Sequence, residues 1–258
     1  MYLRADIAQA WSGQAPLAAA SALRGCLLRE MPGRRTLRVE IAGGRYIAKL
    51  HSGVGYWEIA KNLLFGRAPV VSAENEYRAL MRLQSAGVPS MQVAAYATDH
   101  RAPAHRRSFI LLDYIEHEQT LDDVARSWRT QPPTAARRRN LVLAVAGIAR
   151  TMHAAGVNHR DFYLCHFLCA ATGELRLIDL HRAGCRPQVP PRWRVKDLAA
   201  LLSSALDAGL SDRDRLRFVR CYSGGRLPRD QSHWAMWRQV QRKAARLHRK
   251  GQRLGLAY

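Results

Sequence analysis

Val157-Asn158-His159-Arg160-Asp161-Phe162-Tyr163-Leu164-Cys165-His166-Phe167, followed by Leu175-Arg176-Leu177-Ile178-Asp179-Leu180-His181-Arg182, decides how this chain is read. An apolar entry delivers Asp161 to a loop, His166 stands five residues beyond it, and a second apolar run ends on Asp179, eighteen residues after Asp161. Two carboxylates at separate strand ends suit phosphoryl transfer, where one accepts or orients the proton of the acceptor hydroxyl and the other holds the magnesium that neutralises the phosphates. Asp161 fits the first task and Asp179 the second. A His-Arg-Asp tripeptide alone carries little weight; the apolar strand ending in Asp179 gives it meaning.

Protein-kinase-like enzymes open their catalytic loop with this tripeptide and place a metal-binding side chain five residues after its Asp. Upstream, Leu37-Arg38-Val39-Glu40-Ile41 alternates as a half-buried strand, Ala42-Gly43-Gly44-Arg45 supplies a turn, and Tyr46-Ile47-Ala48-Lys49-Leu50 reads as the returning strand. Lys49 therefore lies inside a strand, and an ammonium there needs an anion. A short helix is expected over 58–64 and a longer one over 73–85, capped by Ser72 and striped by Tyr77, Leu80 and Met81. Glu76 in its first turns is the candidate partner of Lys49, with Glu74 and Glu58 as substitutes.

Segments 91–97 and 108–112 predict a further strand pair, and 113–116 a connection between lobes. A helix is predicted over 135–155, stopped by Gly156, with three arginines, 137 to 139, at its start against the macrodipole. Beyond Asp179 the segment 180–193 holds His181, Arg182, Arg186 and Arg192 but no Ser, Thr or Tyr, so switching by phosphorylation of this loop is not expected. Its arginines suit an acceptor carrying carboxylates or phosphates. A helix from Asp197 is expected to cross under the catalytic loop with Asp197 in a hydrogen-bonding role, and Asp212 and Asp214 read as capping or surface acids.

Near the end of the chain Trp234, Trp237, Val240, Ala244 and Leu247 recur on one helical face amid arginines and lysines, with no acidic residue from 231 to 258. That pattern fits either an anionic membrane surface or docking on the large lobe.

Composition bounds the partners. The 258 residues carry 41 Lys and Arg against 20 Asp and Glu, a net charge of +21, which favours a polyanion: nucleic acid, acidic membrane, phosphorylated glycolipid or acidic protein. The residues 1–6 lead into no signal-like apolar core, and the longest apolar run, 141–149, is too short to span a bilayer, so a cytoplasmic protein is expected. Five cysteines without a Cys-x-x-Cys pair imply free thiols, and the Cys165-His166-Cys169 cluster lacks the complementary pair a structural zinc needs.

With these residues in view, the chain resembles the lipopolysaccharide core heptose(I) kinase family of Gram-negative bacteria over nearly its whole length. The resemblance rests on Arg34-Arg35-Thr36-Leu37-Arg38, Lys61-Asn62-Leu63-Leu64, the run from Met152 through Asp161, Tyr163-Leu164-Cys165-His166-Phe167, Ile178-Asp179-Leu180-His181-Arg182-Ala183 and Arg192-Trp193-Arg194-Val195-Lys196-Asp197-Leu198. It implies an α+β, two-lobed protein-kinase-like fold, with a small antiparallel β-rich lobe over 1–115 and a mainly helical lobe over 116–258. It also implies transfer of the ATP γ-phosphate to a hydroxyl of the first heptose, on an inner core of heptose, Kdo and lipid A at the cytoplasmic face of the inner membrane. Asp161 is then the base, Asp179 the Mg2+ ligand, and Lys49 the phosphate-binding lysine paired with Glu76.

Two departures from general protein kinases stand out, and both agree with the heptose kinases. His166 replaces the usual Asn, and imidazole is a poor ligand for hard magnesium, which puts a second metal in doubt. The glycine-rich phosphate loop is also missing, and Glu30-Met31-Pro32-Gly33-Arg34-Arg35-Thr36 stands in its place, so Arg34 or Arg35 is the expected substitute for lost backbone donors. Arg182, Arg186 and Arg192 are the acceptor-binding candidates. An anionic membrane surface and an acidic protein such as acyl carrier protein are the expected partners, and nucleic acid is not. The rivals are a Kdo or other small-molecule kinase on the same fold and a non-catalytic basic module binding lipid or nucleic acid.

Overall fold

The alternation around Lys49 lies at the centre of a six-stranded antiparallel sheet. A computed structural model describes residues 1–64, 69–99, 101–116, 119–170 and 172–254, and within them every side chain except those of Glu58, Asn62, Ser232 and His233. The sheet is built from β1 (Tyr2–Leu3), β2 (Cys26–Met31), β3 (Arg34–Ile41), β4 (Gly44–His51), β5 (Val93–Thr98) and β6 (Ser108–Asp113), in the order β1-β5-β6-β4-β3-β2. The β3–β4 hairpin turns at Ala42 and Gly43, both at positive φ, the geometry a tight two-residue turn requires.

Register divides the sheet into two faces. Thr36, Lys49, Ile110 and Tyr96 are successive cross-strand partners and share one face; Leu37, Ala48, Leu111 and Ala95 share the other. The second face is covered by α1 (Ala5–Ala10) and α2 (Pro16–Ala22); Ile7, Ala19 and Ala20 from these helices, with Trp11 just after α1, join Leu37, Val39, Tyr46, Ala48 and Phe109 in the core. These two helices were not expected from the sequence, because an alanine-rich stretch has no polar face to set a period. Pro16 at the first helical position was the available signal. The first face receives α4 (Glu74–Ser85), where Tyr77 stacks on Tyr96 at 4.1 Å between ring centroids. Ser72 Oγ accepts from the Glu74 amide at 3.3 Å, as a cap should. The shorter helix before it, α3, runs Gly55–Leu64.

The chain divides into two compact units, 1–81 with 91–115 and 82–90 with 116–258. Residues 82–90 belong with the second because Arg82 donates to the Arg186 carbonyl at 2.7 Å and the Pro89 carbonyl accepts from the Leu177 amide at 2.9 Å. That unit is mainly helical: α5 (Leu121–Ser127), α6 (Ala135–Ala154), α7 (Pro191–Ala205), α8 (Asp212–Tyr222) and α9 (Gln231–Arg253). Its strands are short, with β7 (Gln119–Thr120), β9 (Phe167–Cys169) and β10 (Leu175–Leu177) in one sheet and β8 (Val157–Asn158) with β11 (Gly184–Cys185) in another.

Three expectations are refined here. The helix expected from Asp197 begins six residues earlier, at Pro191, whose ring suits a first helical position, so Asp197 lies two turns inside α7. Asp214 is buried, closes a capping box with Ser211, and pairs with Arg138 at 3.3 Å, which accounts for one arginine of the 137–139 run. The C-terminal stripe docks inward: α9 packs on α7, with Trp237, Val240 and Ala244 each at most 7% exposed. The basic face of α9 is what solvent sees. No helix among the described residues is long and apolar enough to cross a membrane.

Candidate active site

Gly156 ends α6 at φ +76 and lies so close to the Arg186 carbonyl that any β-carbon would collide with it. The chain then runs through β8 into His159, Arg160 and Asp161. Asp197 fixes this loop from below: its Oδ2 accepts from the His159 amide at 2.7 Å and its Oδ1 from the Arg160 amide at 2.9 Å. His153 Nε2 sits 3.2 Å from the same Oδ2, and His153 Nδ1 sits 2.8 Å from the Tyr222 hydroxyl. Arg160 holds φ +75 and Asp179 φ +61, left-handed conformations that non-glycine residues keep only where surrounding bonds impose them.

The loop is tied to the second aspartate by two histidines. His159 is fully buried, which holds its imidazole below the usual range and therefore neutral, and its Nε2 donates to the Ile178 carbonyl at 2.9 Å. His166 Nδ1 lies 2.6 Å from the Asp161 carbonyl, which can only accept, so Nδ1 is the donor of that bond. His166 Nε2 is 3.8 Å from Asp179 Oδ2, while His181 Nδ1 holds Oδ1 at 2.7 Å. Asp161 itself is gripped by Arg182, whose NH1 donates to both carboxylate oxygens at 3.0 Å.

In the first unit Lys49 Nζ donates to Glu76 Oε1 at 2.6 Å, and Glu76 is 1% exposed. Glu74 instead pairs with Arg78 on the surface, and the Glu58 side chain lies outside the described residues. Register separates the two candidate arginines. Arg34 pairs with His51 and shares the face of Lys49; Arg35 pairs with Leu50 and points to the other face.

The model of the lipopolysaccharide kinase (Kdo/WaaP) family matches residues 18–222. This chain belongs to that family. It is 45% identical to the lipopolysaccharide core heptose(I) kinase WaaP of Pseudomonas aeruginosa, across 95% of this chain and 94% of that one. To the protein of the same name in Escherichia coli strain K12 it is 38% identical, across 98% and 99%. The solved structure of WaaP in complex with acyl carrier protein superposes with a TM-score of 0.81 at 39% identity, covering 96% of this chain and 98% of that one. The fold is thus the two-lobed, kinase-like α+β fold expected, and the chain is a phosphotransferase with ATP as its co-substrate.

Within this lipopolysaccharide kinase the three acceptor candidates separate. Arg182 is on Asp161, whereas Arg186 and Arg192 lie over the Trp193 ring, with guanidinium carbons 5.5 and 5.6 Å from its centroid. Arg160 and Lys196 join them there, each at 5.1 Å. Sequence reasoning passed over Arg160, Trp193 and Lys196, although the alternation of cations about one tryptophan in Arg192-Trp193-Arg194-Val195-Lys196 was visible. His181 was placed in the basic segment beyond Asp179 but not as the partner of that carboxylate, which it is.

Proposed function

We propose that this chain transfers the γ-phosphate of ATP to a hydroxyl of the first heptose of the lipopolysaccharide inner core, at the cytoplasmic face of the inner membrane. The observation that carries the acceptor is the 45% identity, nearly end to end, to a protein named as a core heptose(I) kinase. Asp161 accepts the proton of the heptose hydroxyl as that oxygen bonds to the γ-phosphorus and the bond from phosphorus to the departing ADP oxygen breaks. Asp179 would hold Mg2+ through its carboxylate, with His166, whose Nε2 lies 3.8 Å from Asp179 Oδ2, as the second candidate beside it. The cation would supply neutralisation of phosphate charge. Lys49, oriented by Glu76, holds the non-transferred phosphates.

Transfer of labelled γ-phosphate to purified, dephosphorylated inner-core lipopolysaccharide, with the label located on the sugar, tests this reading. Label on heptose I supports it. Label on Kdo would keep the chemistry and change the acceptor; no transfer to any glycolipid would overturn the proposal.

Arg34, on the face of Lys49, is the arginine that stands in for the missing glycine-rich backbone donors. Arg34→Ala should raise the KM for ATP about tenfold, the loss of one charge-assisted hydrogen bond of roughly 1.5 kcal/mol, and Arg35→Ala should change it by less than a factor of about two. Equal effects would remove the distinction. Arg182 acts as a positioning residue that aims the Asp161 carboxylate rather than as an acceptor ligand. Arg182→Ala should therefore lower kcat by about 10²-fold with little change in the KM for acceptor, whereas a rise in KM alone would return it to acceptor binding.

An acyl carrier protein is the proposed soluble partner: the charge of +21 suits an acidic protein, and a homologous kinase has been solved with one. Co-purification from the native host checks it. The exposed basic face of α9, rather than the stripe that holds the buried Trp237, is the proposed contact with an anionic inner-membrane surface.

A further inference from the structure

The start of α7 and the loop before it place more positive charge around Trp193 than the protein itself balances. Arg160, Arg186, Arg192 and Lys196 all lie within 5.6 Å of one indole centroid. An indole face offers each cation about 0.5–2 kcal/mol, too little to offset the mutual repulsion of four cations drawn together, three of them half-buried. The nearby carboxylates are already engaged. Asp161 has Arg182 on both oxygens, and Asp197 spends its two oxygens on the amides of His159 and Arg160.

The strain shows in the cations themselves. Burial, and then the nearby charges of Arg182 and Arg186, hold the Arg160 guanidinium below its ordinary range; burial, and then Arg160 and Arg182, do the same for Lys196. Arg160 Nε, Trp193 Nε1 and the Nδ2 of the fully buried Asn158 are also inaccessible to water and have no acceptor among the described residues. The arrangement is nonetheless built and held. Asn158 Oδ1 accepts from Arg186 NH1 at 2.6 Å, and the guanidinium lies where a β-carbon on Gly184 would make it shift. Arg192, Trp193 and Lys196 sit in the first two turns of α7, an end with no side-chain cap, so the helix dipole adds to the same positive potential.

Four cations gathered about one indole, against the two carboxylates of Asp161 and Asp197, call for a ligand that is anionic and rich in acceptor oxygens. We propose that Arg160, Arg186, Arg192 and Lys196, gathered about Trp193, form a cradle for oxyanion groups of the acceptor that lie beside the reacting sugar, and that this grip decides which sugar hydroxyl reaches Asp161. The inference rests on the glycolipid-kinase reading above and extends it to how the acceptor is selected. Arg182, expected from the sequence to share this task, is excluded from it by its grip on Asp161. Two kinds of oxyanion are chemically suitable, the carboxylates of acidic sugars and phosphate esters on the same glycolipid.

The test measures equilibrium binding of a soluble, delipidated inner-core glycan without ATP, alongside the KM for that glycan in the transfer assay. It compares the wild type with Lys196→Met, Arg192→Met and the charge-keeping Lys196→Arg, on the glycan as isolated, with its carboxyls methyl-esterified, and with its phosphates removed. Expected are a tenfold or greater loss of binding in Lys196→Met and Arg192→Met, an equal rise in KM, and recovery in Lys196→Arg. Wild type should lose affinity for either the esterified or the phosphate-free glycan, which identifies the oxyanion, while Lys196→Met should be indifferent to that same change. If wild type binds all three glycans alike, or if variant and chemical penalties simply multiply, the cradle is overturned. Normal glycan binding that depends on Lys196 without any phosphate transfer would leave the cradle standing and overturn the proposed sugar acceptor instead. Because Arg192 is exposed, its variant keeps the test decisive should Lys196→Met fold poorly.

Discussion

Asp161→Asn is expected to lower phosphoryl transfer to the inner-core acceptor by about 10³-fold, within the 10²–10⁴ that a positioned base contributes, while leaving thermal stability close to wild type. The substitution keeps shape and keeps one oxygen able to accept from Arg182, so the loop that Asp197 clamps from below should not move. What is lost is basicity at the atom facing the acceptor hydroxyl. Single-turnover rates and melting curves on the same preparations check both halves. A variant that transfers phosphate within tenfold of wild type would show that the base lies elsewhere. A variant that is inactive but unfolded would prove nothing about the base, and for that reason Asn is preferred to Ala.

The candidate residues that could be read in advance are those in which chemistry and local period coincide. Lys49 was legible because a cation inside an alternating strand demands an anion, and Glu76 because it lies in the first turns of a helix whose apolar stripe faces the sheet. Asp161, His166 and Asp179 were legible from spacing along two apolar runs, and Asp197 from its place in an apolar helix near the loop. The remainder depends on contacts between residues far apart in the chain. Arg182 reaches Asp161 across a 21-residue separation, and Arg160 meets Lys196 only through the ring of Trp193. No periodicity encodes either. The stripe of α9 illustrates a different limit, since an amphipathic face reads identically whether it meets lipid or the flank of α7. Only the burial of Trp237, Val240 and Ala244 separates the two.

Lys49→Met should abolish both activity and a large share of stability, and the two losses should be separable. Glu76 is 1% exposed, its Oε1 accepts from Lys49 at 2.6 Å, and its Oε2 is buried with no hydrogen-bond partner among the described residues. Removing the ammonium leaves a carboxylate in an apolar site with its principal counter-charge gone, a change that costs about 3–5 kcal/mol. Against a typical domain stability of roughly 5–15 kcal/mol, that loss should be plain in urea unfolding. Replacing both partners, as in Lys49→Met with Glu76→Leu, removes the stranded charge together with its partner and should recover most of the stability, because apolar pairs of similar volume replace buried ion pairs at little net cost. The double variant should still transfer phosphate at least about 10²-fold more slowly than wild type, since a cation aimed at phosphate oxygens has no apolar substitute. A double variant that regains both properties would reduce Lys49 to a structural residue. One that regains neither would mean the pair is needed for the sheet and α4 to assemble, and would leave its role toward ATP without support.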